Sequence, residues 1–299
     1  MNPTITIFTP TYNRAYTLEK CYNSLLRQTR KDFCWLVIDD GSTDNTRDLV
    51  DKWIKDGAIE IKYLYQENQG MHGAHNTAYS NIMTELCLCC DSDDYLSDTA
   101  LESIIKKWNS CGKEGHSGVI GWDAYPNGDL ISVKLEMKET TTFEIRQKLR
   151  LNCDYKIAFR SELLKGDPLP LFEGEKYVPL DCKYYKIDMN YKLLVLNEIL
   201  CYVEYLPDGG TRNNLIQYRN NPKGFSFFRK EILMLSNNTS FKINFRNSTH
   251  YVASSLISNN YSLFSGMPKK MTIALAFPFG FILYLYIKNT KKKSLFNEI

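Results

Sequence analysis

The 299-residue sequence predicts an α/β protein: a doubly wound, mainly parallel sheet that passes into α+β elaboration and then into a helical tail. Three observations carry that expectation. Short apolar, β-branched runs alternate with amphipathic helical segments through roughly the first 110 residues, as parallel strands joined by crossover helices require. The alternation breaks after Ser117, where strand-like and polar segments mix. A last apolar stretch, 271–287, lies between lysines.

Each element has its own local reason. The run from Thr4 to Thr9 is apolar and β-branched and stops at Pro10, so it reads as a buried strand. Phe33 to Asp39, FCWLVID, reads the same way. Between them Leu18, Cys21, Tyr22, Leu25 and Leu26 recur on one helical face. The unit repeats, with a helix from about Asp44 to Lys55, a strand from Ile59 to Tyr65 and a helix from Gly73 to Met83. A strand from Leu86 to Cys90 and a helix around Thr99 to Trp108 follow. Beyond Ser117, strands are expected at Val119 to Tyr125 and Leu130 to Leu135, then helical segments from Glu144 and Asp181. Asn and Ser become frequent near Asn220, which divides a main domain, 1–220 in halves 1–110 and 111–220, from a tail, 221–299.

Composition bounds the function. With 43% hydrophobic and 24% charged residues the chain suits a globular core, and its length suits one large domain with an appendage. A net charge of +3 falls short of the clustered basic footprint that nucleic acid needs, so nucleic acid is not expected as a partner. The nine cysteines are odd in number and lack paired spacing, and no charged-then-apolar leader precedes Thr4. Both features favour free thiols in a reducing cytoplasm.

Three polar clusters follow predicted strands: Pro10-Thr11-Tyr12-Asn13-Arg14, Asp39-Asp40-Gly41-Ser42 and Asp91-Ser92-Asp93-Asp94. A doubly wound sheet brings such strand ends to one edge, where ligands bind. Ser42 and Asp44 suit helix capping. Two adjacent carboxylates closing an apolar strand exceed what a cap needs, which makes Asp40 a candidate acceptor for a nucleobase. The run LCLCCDSDDYL sets three carboxylates after an uncharged strand. Hard divalent cations take oxygen ligands, and Mg²⁺ commonly uses one or two carboxylates together with substrate phosphates; Mn²⁺ accepts a similar set. Cys87, Cys89 and Cys90 lack zinc spacing and read as small buried hydrophobes.

Four motifs in order, TPTYNR (Thr9 to Arg14), VIDDGSTDNT (Val37 to Thr46), NQGMHGAHN (Asn68 to Asn76) and CDSDD (Cys90 to Asp94), give the chain a family resemblance. It resembles family 2 glycosyltransferases of the GT-A fold, of the bacterial surface-polysaccharide type. The resemblance implies inverting transfer of a sugar from a nucleotide-diphosphate donor, a UDP-sugar first, to a hydroxyl of a glycan acceptor carried on a lipid diphosphate. It implies a donor pocket in which Pro10 and Tyr12 lie along the base, with Thr11 and Arg14 in the same loop and Asp40 accepting the imide hydrogen. Asn68, Gly70 and His75 would contribute a second donor loop, Asp91 and Ser92 would face the ribose, and Asp93, with Asp91, would hold Mn²⁺ or Mg²⁺. Many relatives carry Arg where this chain has His75; for His72 and His75 a structural role at a helix start stands level with donor binding.

Asp181, in GEKYVPLDCKYYKID, resembles the second acid of the family's acid-acid pair, with Leu180 in place of the first. As general base it would take the acceptor proton; capping a helix is its other reading. Asp188, Glu173 and Glu175 are the neighbouring carboxylates. Two other classes stay open. A nucleotidyltransferase would carry a Gly-rich basic loop after the first strand, which TPTYNR lacks, and Leu180 leaves room for a non-catalytic membrane-bound scaffold of the same fold.

In the tail, Met271 to Ile287 is apolar apart from Thr272 and is flanked by Lys269, Lys270, Lys288, Lys291, Lys292 and Lys293. As a helix it would measure about 25 Å, short of a hydrocarbon core of about 30 Å. Cations on both flanks and Pro278-Phe279-Gly280 in the middle suit an interfacial or re-entrant helix broken at that tripeptide. That would set the protein on the inner face of the cell membrane, peripheral or monotopic. A buried helix packed on the domain is the alternative.

Overall fold

The structure is a computed structural model that describes residues 3–111, 113–204, 214–235 and 239–289. Lys291, Lys292 and Lys293 lie outside the described residues. Contacts divide the chain into two compact units, one of Met1–Leu169 with Lys183–Leu206 and the other of Pro170–Cys182 with Pro207–Ile299.

In the first unit β1 (Ile5–Thr11), β2 (Phe33–Asp39), β3 (Glu60–Tyr65) and β4 (Leu86–Cys89) pair in parallel in the order β3-β2-β1-β4. They are joined by α1 (Ala15–Arg27), α2 (Thr46–Asp56) and α3 (Met71–Asn81). Alternation of side chains along each strand builds two cores, one on each face of the sheet. Ile5, Ile7, Trp35 and Val37 pack with α1 and α2, whereas Phe8, Leu36 and Ile38 pack with α3. On the first face Tyr22 stacks on Trp53 at 4.2 Å between ring centroids, and both rings lie against Trp35. The predicted stripe of α1 is the buried one, with Leu18, Cys21, Tyr22 and Leu25 all in the core.

The remaining strands make the sheet mixed. After β5 (Tyr95–Leu96) and α4 (Ala100–Ser110), β6 (His116–Ala124) runs parallel to β9 (Lys192–Tyr202). Between β4 and β6 lies β8 (Tyr155–Arg160), antiparallel to both. β7 (Glu139–Thr140) and β5 pair antiparallel with β9. A π-helical turn, Glu144–Leu149, precedes β8, and α5 (Ser161–Leu164) and α6 (Asp181–Ile187) follow it.

The expected strand at Leu130 to Leu135 does not form. Only Leu130 bridges back to Ala124. The Asp123 carbonyl then accepts from both Ile131 and Ser132, and the Ser132 hydroxyl bonds the Asp123 N–H, so the backbone curls instead of extending.

The second unit contains α7 (Asn214–Asn220), α8 (Pro222–Leu235), α9 (Phe241–Ile257) and α10 (Lys270–Asn289). α10 continues through Pro278 without the expected break. Its buried stripe, Ile273, Ala276, Gly280 and Ile287, explains this, because Gly280 lets the helix lie against α9. A Cβ at Gly280 would stand 2.6 Å from Val252 Cβ and 2.8 Å from the Thr249 carbonyl. Packing on both sides of Pro278 offsets its missing hydrogen bond.

Candidate active site

β1, β2 and β4 are parallel neighbours, so their carboxyl ends meet at one edge of the sheet. Pro10 and Thr11 sit opposite Ile38 and Asp39 in register, and the acidic turn at Asp91 follows β4 directly. All three sequence clusters therefore converge, at the edge where doubly wound sheets bind ligands.

The first two loops are tied to each other. Asn13, at φ 53°, turns its Oδ1 to accept from the Thr43 N–H at 2.7 Å, and its own N–H donates to Ser42 Oγ. Asp44 accepts from the Ala15 N–H at the start of α1 and from the Thr46 N–H and hydroxyl at the start of α2. Tyr12 projects from this scaffold half exposed, while Thr11 is buried. The Arg14 guanidinium donates to the Tyr16 hydroxyl and lies near enough to Asp93 to pull its carboxyl toward the charged form.

The paired carboxylates after β2 hold the loops in place. Asp39, fully buried, accepts from the Ser42 N–H at 2.7 Å and from the Tyr63 hydroxyl at 2.6 Å. Asp40 Oδ1 accepts from Gln66 Nε2 and from the Gln69 N–H, and its Oδ2 accepts from the Gly70 N–H, all at 2.7–2.8 Å. Asp40 thereby pins the segment carrying Asn68 and Gly70 against the end of β2. Gly41, at φ +88°, permits the contact, since a Cβ there would lie 2.9 Å from the Asn68 nitrogen. Sequence reasoning singled out Asp40 but not this bonding, because the donors lie 26 to 30 residues away.

His75 lies in the core. Its Nδ1 shares a hydrogen bond with the Tyr79 hydroxyl at 2.9 Å, its Nε2 faces Cys89 Sγ at 3.8 Å, and its ring meets Phe8 edge-on. Burial pushes its pKa down to about 4, so the ring is neutral at pH 7. His72 is also buried.

Asp91 to Asp94 form a β-turn closed by the Asp94 N–H on the Asp91 carbonyl at 3.0 Å. Asp91 is exposed, Ser92 buried and Asp93 between the two. Burial and the neighbouring Asp91 charge push the Asp93 carboxyl up. Among the described residues no cluster of three or more His, Cys, Asp or Glu side chains forms a closed metal cage. The donor set at Asp91 and Asp93 instead fits a hard divalent ion shared between one or two carboxylates and substrate phosphates.

Asp181 opens α6, is partly buried and belongs to the second unit with Pro170–Cys182. Two of the neighbouring acids bind backbone N–H groups. Glu175 accepts from the Lys223 and Gly224 N–H groups at the start of α8, and Asp188 accepts from the Phe143 N–H and the Thr142 hydroxyl ahead of the π-helical turn. Glu173 is exposed. Sequence reasoning missed a further pair beside the turn, Asp94 with Lys156 of β8. The sequence carried no local signal for it, because the partners lie 62 residues apart.

Polar loops gathered at the carboxyl ends of adjacent parallel strands in a doubly wound sheet define a class of α/β proteins that bind ligands at that edge. Residues 6–165 match the family described as Glycosyl transferase family 2, and the chain belongs to that family. It is 35% identical over 121 residues to the GalNAc(5)-diNAcBac-PP-undecaprenol beta-1,3-glucosyltransferase of Campylobacter jejuni, a match covering 40% of this chain and 38% of that protein. The chain spans between 15% and 38% of the length of three curated relatives that it matches. In fold it is similar to residues 1–349 of S. aureus TarS in complex with UDP-GlcNAc, with a TM-score of 0.61 at 21% identity, over 92% of this chain and 79% of that one. It is also similar to the mannosyltransferase PcManGT of Pyrobaculum calidifontis in complex with GDP-Man and Mn²⁺, with a TM-score of 0.55 at 18% identity, over 96% and 88% of the two chains. Both likenesses establish the GT-A fold.

Proposed function

We propose that the chain is an inverting, metal-dependent glycosyltransferase that moves a sugar from a nucleotide-diphosphate donor, a UDP-sugar first, to a hydroxyl of a lipid-diphosphate-linked glycan. The observation that carries this reading is the meeting of the Pro10–Arg14 loop, the Asp40-bound loop and the Asp91–Asp93 turn at the ends of three adjacent parallel strands. Pro10 and Tyr12 would flank the base, with Thr11, Arg14, Asn68, Gly70 and His75 shaping the pocket. Asp91 and Ser92 would meet the ribose.

Asp93, with Asp91, would hold Mn²⁺ or Mg²⁺. When bound, that ion supplies positive charge against the charge that builds on the departing diphosphate. Asp181 would accept the proton of the acceptor hydroxyl as its oxygen attacks the anomeric carbon from the face opposite the leaving group, which inverts the configuration. Its place at the opening of α6, part-buried and not sealed in the core, supports Asp181 in that role.

The second unit suits a membrane surface. α10 is long and apolar enough to cross a membrane by length and composition, and one face of it is covered by α9. Leu275, Phe279, Ile282 and Tyr286 are each more than half exposed on the remainder. This agrees with a peripheral or monotopic placement at the inner face of the cell membrane, where a lipid-linked acceptor of surface-polysaccharide synthesis would be found.

A screen of UDP-, GDP- and TDP-sugars with lipid-diphosphate acceptors, with Mn²⁺ and with Mg²⁺, tests the reading. Sugar transfer by the wild type and its loss in Asp181→Asn, with nucleotide binding retained, is the expected result. Unchanged transfer by Asp181→Asn would remove Asp181 as base.

A further inference from the structure

A buried ion pair lies against the acidic turn and has no part in the roles assigned so far. Asp94, whose N–H closes the turn, places Oδ2 3.3 Å from Lys156 Nζ, and the two side chains are only 6% and 9% exposed. The strand register explains how the lysine arrives there. β8 lies between β4 and β6, with Leu88 opposite Ala158 and Gly121 opposite Lys156. Asp123, two residues beyond Gly121 on β6, shares the face of Lys156. It is 2% exposed, and its Oδ1 has no hydrogen-bond partner among the described residues. One ammonium thus stands among two buried carboxylates, at the same edge as Asp91.

Burial alone would favour a neutral amine. Its neighbours outweigh burial and hold Lys156 above the ordinary lysine range, whereas burial pushes the Asp94 carboxyl up to about 8; the 3.3 Å contact is a hydrogen bond whichever partner carries the shared proton. Buried ion pairs add little or no stability over well-packed apolar residues of similar volume. A stabilising role is therefore a poor explanation for keeping this one.

We propose that Lys156 is a positioning residue that tethers the fourth residue of the Asp91–Asp94 turn from the β8 side and so presets Asp91 and Asp93 for a divalent cation. This rests on the metal reading given under the proposed function. The tether has a signature that opposes simple electrostatics. Removing a positive charge beside a cation site should tighten cation binding, whereas loss of the tether should weaken it.

The double variant Lys156→Met/Asp94→Asn removes both partners of the pair, and any net charge it takes away is positive, so simple electrostatics gives unchanged or tighter cation binding. Mn²⁺ affinity is read by isothermal titration calorimetry on the full chain in the presence of saturating UDP, with melting temperature as the fold control. The double variant is expected to bind Mn²⁺ at least about 10-fold more weakly, roughly the effect of losing a residue that orients metal ligands. Asp94→Asn alone keeps an amide oxygen for the ammonium and should stay within about threefold of wild type. Wild-type affinity, or tighter binding, in the folded double variant overturns the proposal while leaving the metal reading intact. If the double variant fails to fold, Asp94→Asn decides, and a 10-fold loss at unchanged melting temperature overturns the tether. A wild type that binds no Mn²⁺ with UDP, GDP or TDP overturns the metal reading and the tether together.

Discussion

Asp40→Asn separates a loop-binding carboxylate from a base-reading one. The substitution keeps the shape of the side chain but turns one acceptor oxygen into an NH₂ donor. In wild type Oδ1 receives two N–H groups, from Gln66 and Gln69, and Oδ2 receives one, from Gly70. Whichever way the amide turns, at least one N–H donor, part-buried at Gln66 and Gln69 or buried at Gly70, faces another donor. A hydrogen bond to a charged group contributes about 1.5–3 kcal/mol, and an orphaned buried N–H costs about 1–3 kcal/mol. These two figures describe overlapping parts of one loss, so about 3 kcal/mol is the expected destabilisation. At about 2–4 °C per kcal/mol for a unit of this size, the melting temperature should fall by about 6–12 °C. Differential scanning fluorimetry reads that fall, and hydrogen exchange should show faster exchange at the Gln69 and Gly70 amides. A melting temperature within about 2 °C of wild type, with both amides still protected, would refute the pinning role and leave Asp40 as a base reader alone.

Three further outcomes follow from burial and packing. His75 has its pKa depressed to about 4 in the fold, against an unfolded value near 6.5. Its contribution is therefore fully present above about pH 6.5 and is lost as pH falls toward 4, a change of about 3 kcal/mol; His75→Gln should flatten the melting-temperature profile over that window, and an unchanged slope would count against a neutral buried ring. Gly280→Leu would force a side chain into Val252 and the Thr249 carbonyl, so α9 and α10 should part at a cost of about 1–3 kcal/mol; limited proteolysis with the cut mapped near 257–270 checks it, and wild-type resistance contradicts it. Phe279→Asp with Ile282→Asp, both on the exposed side of α10, should reduce sedimentation with anionic phospholipid vesicles by about tenfold, and undiminished binding would exclude that face as the lipid contact.

The parallel half of the sheet was legible in the sequence because its signals are local. Phe33 to Asp39 is a closed apolar run with turn residues after it, and the helical stripe of α1 needs only its own spacing. β8 and β9 were not legible. Each carries charge within the strand, Lys156 and Arg160 in one and Glu198 in the other, and their apolar partners come from distant segments. Leu130 to Leu135 failed for the opposite reason: its pattern suits a strand, but the Asp123 backbone captures it first. At the site, the residue types were readable and their bonds were not. Asp44 reads as a cap from sequence and is one, on two helices at once. Asp40, Asp94 and Lys156 act through partners far along the chain, which spacing alone cannot reveal.

The most direct test of the central claim is nucleotide release from a UDP-sugar by the purified chain, measured with Mn²⁺, after chelation by EDTA, and in Asp93→Ala. Release should depend on the metal, return when Mn²⁺ is restored, and fall by about 100-fold in an Asp93→Ala protein that melts with the wild type. Release that persists undiminished in Asp93→Ala, or its absence from every UDP-, GDP- and TDP-sugar with either metal, would contradict a metal-dependent transferase built on the Asp91–Asp93 turn.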